Sequence, residues 1–155
     1  MADGRERPYM QFNFLVNLGD GVTDSYDAGF QEISAISMEV AASEYRRGNS
    51  PFNHVLKLTG LTKAADITLK RGIIGTTTLF EWLQNLSDGS QGTDAIKQVT
   101  IQLQNEARNG IVLTWQLFNA RIIKLSYGAL NAKGTDVAME EMTLSYESLK
   151  VTKGN

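Results

Sequence analysis

At 155 residues, 42% of them hydrophobic and 21% charged, the chain has the length and make-up of one globular domain, residues 1–155. A formal charge of -2 lacks the basic excess of a nucleic-acid binder, and the absence of cysteine excludes disulfides, thiolate metal sites and cysteine nucleophiles. Met1 to Gln11 holds no apolar core for a signal peptide, and no apolar run nears the roughly 20 residues of a membrane helix, so neither a signal peptide nor membrane insertion is expected.

After a flexible N-terminus at 1–8, "MQFNFLVNL" alternates: Met10, Phe12, Phe14, Val16 and Leu18 point one way and Gln11, Asn13 and Asn17 the other, as in a half-buried strand. Gly19 to Gly21 reads as a turn, and "ISAISMEV" as a second strand that sets Ile33, Ala35, Ser37 and Glu39 against Ser34, Ile36, Met38 and Val40. Residues 43–56 then form a polar stretch without periodicity, an extended arm of a length uncommon inside compact domains. "ITLKR" returns to alternation, with Ile67 and Leu69 opposite Thr68 and Lys70. A helix over 77–87 follows, with Leu79, Phe80, Leu83 and Leu86 at helical spacing and a capping box of Thr78 and Glu81.

Beyond it, "VTIQLQ" sets Val99, Ile101 and Leu103 against Thr100, Gln102 and Gln104. Asn109-Gly110 signals a hairpin through positive φ, and the long strand that follows is expected to bend near Asn119 and Ala120. "VAMEEMTLSYESL" supplies one last strand. The expectation is a mainly β fold: a small antiparallel barrel or sandwich of about six or seven strands with one packed helix and an extended arm.

Candidate chemistry is sparse. His54 is the single histidine and lies in the arm, where a solvated or interface role is the ordinary one. Asp20, Asp24 and Asp27 in "DGVTDSYD" do not match the spacing of a calcium loop, and Glu140 and Glu141, adjacent on a strand, face opposite sides. "GDG" and "KRGIIG" lack the layout of phosphate-cradling loops, and no serine sits in a nucleophile elbow. No enzyme, cofactor or metal site is expected. What remains is a row of uncharged polar side chains, Gln98, Thr100, Gln102 and Gln104, opposite an apolar face. Such a row is either a plain solvated sheet face or the lining of a water-filled channel, where strong charges would hold back cargo.

"FQEISAISMEV", "EYRRG", "LTGLTKAADITLKRG", "LFEWL", the run "VTIQLQNEARNGIVLTWQLFNA" and "LNAKGTDVAMEEMTLSYESL", in this order from about Tyr9 to Val151, resemble the tail-tube proteins of contractile phages and of extracellular contractile injection systems. The resemblance implies a structural subunit that forms homohexameric rings, stacked into a hollow tube that conducts DNA or protein cargo without binding nucleic acid specifically. It implies assembly in the bacterial cytoplasm into a virion or a released particle, with sheath, baseplate or spike, and terminal cap proteins as partners. It places Glu44, Tyr45, Arg46 and Arg47 at the base of an inter-ring arm, and Asn49, Ser50, Pro51, Phe52, Asn53 and His54 toward its tip. A type VI secretion tube and a monomeric β-barrel binding module are the other readings.

Overall fold

The computed structural model describes residues 8–9, 13–18, 29–73, 75, 77–89 and 95–154. Among these residues nine strands and one helix run in the order β1 (Phe14–Asn17), β2 (Glu32–Ile33), β3 (Met38–Tyr45), β4 (Leu56–Ala64), β5 (Ile67–Gly72), α1 (Thr78–Ser87), β6 (Lys97–Gln104), β7 (Ile111–Tyr127), β8 (Met139–Ser145) and β9 (Ser148–Lys153). All described pairings are antiparallel. The main sheet is ordered β1-β6-β7-β8-β5-β2, with β9 added on β7, while β3 and β4 form a separate two-stranded ribbon. The main sheet has β1 and β2 as its ends and does not close among the described residues.

The seventeen-residue β7 belongs to both halves of this sheet: its first part pairs with β6 and β9, its second with β8. The crossing point is the expected bend. Lys97 faces Ala120 and Val99 faces Leu117, so one residue of β6 opposes two of β7, a bulge that turns the strand. Asn119 sits in the bulge with φ 53°, a left-handed conformation that asparagine tolerates better than most residues, and Ala120 beside it is fully buried. Glu147 pins the corner: its carboxylate accepts from Asn119 Nδ2 at 3.0 Å and from Arg121 Nη2 at 3.2 Å.

Folding over at this corner brings the inner faces of the two halves together in one core. Val16, Val99, Ile101 and Leu117 from one half meet Ile67, Leu69, Ile122, Met142 and Leu144 from the other. Each such side chain contributes roughly 1.5–3 kcal/mol by leaving water. Several boundaries differ from expectation. "ISAISMEV" is not one strand but divides into β2 and the start of β3, and the C-terminal run is two strands, β8 and β9. Asn13 is buried rather than solvated; its Oδ1 accepts from Arg108 Nε at 3.0 Å and its Nδ2 donates to Asn105 O. Arg108, not Asn109-Gly110, takes the positive φ in the β6–β7 turn, where Asn105 side-chain bonds hold Asn109 in place.

The helix also departs from its expected cap. Thr77 is the N-cap, and its side chain makes no capping bond; Thr78 is already helical, so Glu81 stands one position too far along for a capping box. Leu79 and Trp82 are the buried residues of α1, whereas Phe80 is turned outward. Trp82 Nε1 donates to Ala95 O at 2.6 Å, and Lys97 Nζ lies 5.0 Å from the centre of its ring. Trp82→Phe keeps the apolar body but leaves the Ala95 carbonyl without this donor. It should lower subunit stability by about 1–3 kcal/mol, read as a shift of the urea midpoint at unchanged slope.

Candidate functional site

The hairpin of β3 and β4 stands apart from the core, and this follows from its residues. Every residue of β3, and all of β4 but Ala64, is exposed. Pairing runs Met38–Ala64, Glu39–Lys63 and Val40–Thr62, then Ala42–Thr59, Ser43–Leu58, Glu44–Lys57 and Tyr45–Leu56. Between the two sets Ala41 opposes both Gly60 and Leu61. Glycine suits this bulge because a Cβ at position 60 would lie 3.2 Å from the Ala41 carbonyl oxygen. Strand alternation gathers Tyr45, Leu56, Leu58 and Leu61 on one face of the ribbon. Leu61 is 86% exposed.

The root of the hairpin is clamped to the body. Ser37 O accepts from Ala65 N at 3.2 Å and from the Tyr146 hydroxyl at 3.3 Å. Burial, reinforced by the nearby Asp66 carboxylate, raises the Tyr146 pKa, so the phenol stays neutral and able to donate across physiological pH. An isolated two-stranded ribbon is marginal in water, and this one offers apolar side chains on a surface that no described residue of its own chain covers.

The expected arm therefore needs correction in its form. Residues 43–56 are not an irregular segment but the outer part of a longer hairpin, with Glu44 and Tyr45 still in β3 and Leu56 already in β4. Arg46, Arg47, Asn49, Ser50, Pro51, Phe52, Asn53 and His54 form its tip, all exposed except the half-buried Ser50. The Phe52 and His54 rings lie 5.2 Å apart at 32°.

The polar row takes its place on the outward side of β6. Register aligns Gln102 with Leu15 on β1 and Thr114 on β7, and Thr114 in turn with Thr152 on β9. The next row is Asn17, Thr100, Gln116 and Lys150. Gln98 and Gln104 stand at the two ends of β6, Gln98 exposed and Gln104 half-buried. Across these two rows Lys150 is the single charged side chain. The outward side of the other half differs, with Glu32, Lys70 and Glu141 in one row and Lys70 Nζ 3.9 Å from Glu32. Between β1 and β2 lies a groove of about 830 Å³ of mixed polarity, lined by Phe14, Ile33, Ile36, Leu103 and Trp115 together with Gln31, Glu32 and Ser34.

Among the described residues no three His, Cys, Asp or Glu stand together as metal ligands, and no helix is long and apolar enough to cross a membrane. Asp20, Asp24 and Asp27 lie outside the described residues. Sequence reasoning missed the leucine face of the hairpin, although Leu56 and Leu58 two apart opposite Ser43 and Tyr45 carried a faint signal. It also missed Arg71, which follows Ile67 and Leu69 in the inward phase and is buried against Glu140.

The profile of the family described as T4-like virus tail tube protein gp19 matches residues 10–150. This chain belongs to that family. It is a tail tube protein. A chain of an extracellular contractile injection system, solved as the PVC sheath-tube complex in the extended state, is 27% identical. It superposes with a TM-score of 0.78 over 96% of this tube protein and 93% of that chain. A chain of the anti-feeding prophage cap, a tube-terminating cap, superposes at 0.80 with 24% identity over 97% and 94%, and Hcp1 from Flavobacterium johnsoniae at 0.55 with 14% identity over 91% and 95%; at these identities the likeness is one of fold. No curated protein sequence matches the tube protein. The family and the structures similar to it are structural tube proteins rather than enzymes.

Proposed function

We propose that this tube protein is the repeating inner-tube subunit of a contractile phage tail or injection particle. It forms homohexameric rings that stack into a hollow, rigid conduit, and does no chemistry itself. The observation that carries the reading is the β3–β4 ribbon, which exposes Tyr45, Leu56, Leu58 and Leu61 in the single subunit. A ribbon so marginal alone is accounted for by a neighbour that covers it. Ring closure and stacking are both heterologous contacts, the first closing and the second extending into a filament. Residues 44–54 of the hairpin reach toward the adjoining ring. Sheath, baseplate or spike, and cap proteins are its partners in the particle, as the names of the similar structures suggest for those assemblies.

The outward face of β1, β6, β7 and β9 lines the lumen, with Gln98, Thr100, Gln102 and Gln104 at its centre. Its near-neutral, hydrogen-bonding surface supports passage of DNA or protein cargo, because fixed charge would retain a polyelectrolyte. The test is electron microscopy of purified subunit over a concentration series, alone and with sheath and baseplate proteins. Hexameric rings or tubes with an open channel are expected; a monomer under every condition overturns the reading. Gln102→Lys should leave tube assembly unchanged and lower the DNA or acidic cargo ejected by whole particles at least about tenfold, because the lumen then holds it. Unchanged cargo in normal tubes would remove the face from the lumen.

A further inference from the structure

The two adjacent arginines of the hairpin tip do different things. The Arg46 guanidinium turns back onto its own loop: Nε and Nη2 donate to Phe52 O at 3.2 and 3.0 Å, Nη1 to Arg47 O at 3.4 Å, and Nη2 also approaches Ser50 O at 3.5 Å. Three carbonyls of one short loop are thus gathered on one planar fork. Ser50 completes the loop, with its amide donating to Arg47 O at 3.1 Å and its hydroxyl accepting from Phe52 N at 3.2 Å. Arg47, next along, is exposed and makes no side-chain hydrogen bond or ion pair among the described residues, while Phe52 is 61% exposed beside His54. A loop held this way has already lost the conformational freedom that a docking loop would otherwise lose on binding.

Charge points to the partner. Residues 45–57 contain no acidic side chain, and taking the two arginines from the formal charge of -2 leaves -4 on the rest of the chain. A basic tip on an acidic body is complementary to a second copy in head-to-tail order. Resting on the stacked-tube reading above, we propose that the tip is a preformed knob. Arg46 is its positioning residue, and Arg47 with Phe52 is the face that docks onto an acidic surface of a second copy in the adjoining ring.

The experiment compares Arg46→Ala, Arg46→Lys, Arg47→Ala and Arg47→Lys in the full chain by two measurements. Amide hydrogen exchange at Ser50 and Phe52 is followed in the unassembled subunit, and sedimentable tube is quantified against salt concentration. Both Arg46 variants should exchange about tenfold faster at these amides, since an ammonium cannot span three carbonyls, and both should assemble poorly. Arg47→Ala should exchange like the parent yet lose about tenfold in assembly and most of its salt dependence, and Arg47→Lys should restore both. Parent-like exchange in Arg46→Ala overturns the positioning role; parent-like assembly and salt response in Arg47→Ala overturn the docking role. If the parent protein forms no rings even with its sheath and baseplate proteins, the stacked-tube reading falls and the docking role with it, while exchange still decides the role of Arg46.

Discussion

Glu140→Ala is expected to destabilise the isolated subunit by about 3–5 kcal/mol, a large share of the roughly 5–15 kcal/mol that holds a domain folded. Arg71 Nε donates to Glu140 Oε1 at 2.6 Å, and the two side chains are 1% and 3% exposed. The pair joins β5 to β8 across facing positions of the register, and the Arg71 guanidinium also lies 5.4 Å from the centre of the Phe30 ring. So little water reaches it that removing the carboxylate takes from a buried cation its 2.6 Å partner, and the loss of that compensation for burial is the source of the cost. Exchanging both residues, as in Arg71→Met with Glu140→Leu, should recover most of the loss because the desolvated arginine leaves the core together with its carboxylate partner. Urea unfolding of the three proteins at neutral pH measures this. A single variant within about 1 kcal/mol of the parent would mean that other groups or water compensate the Arg71 charge without Glu140.

The second large effect belongs to assembly and should leave the subunit fold untouched. Leu58→Asp with Leu61→Asp is expected to abolish rings and tubes at concentrations where the parent is fully assembled. Leu58 is 53% exposed and Leu61 86% exposed in the subunit, so stability should move by no more than about 0.5 kcal/mol. Against a neighbour the same positions would each gain roughly 1.5–3 kcal/mol as leucine, and as aspartate would lose it and add the cost of burying a charge. The deficit recurs at every subunit contact. Electron microscopy together with sedimentation decides the matter, and normal tubes from the double variant would place the leucine face outside the assembly contacts.

How much of this was legible beforehand differs from one element to the next. In β6, Val99 and Ile101 turned inward and Gln98 outward as the alternation required, because period two is a local property of an extended chain. In α1 the helical spacing was readable, yet Phe80 of that spacing is turned outward while Trp82 is buried, since which side of a helix is covered depends on what packs against it. The corner at Asn119 and Ala120 was anticipated as a bend; its reason, a crossing between the two halves of the sheet pinned by Glu147, needed residues 28 positions apart.

Alone, the sequence determined a mainly β chain with one helix, the inward phase of most strands, the scarcity of catalytic groups and, by resemblance, the tube-protein family. Tertiary structure alone decided the ribbon and the buried ion pair. A strand exposed on both sides writes no alternation of polarity into its sequence, so the outer end of β3 fell within the irregular arm read over 43–56 and most of β4 lay beyond it. Arg71 reads as a surface residue until pairing with Glu140, 69 residues away, offsets the cost of its burial.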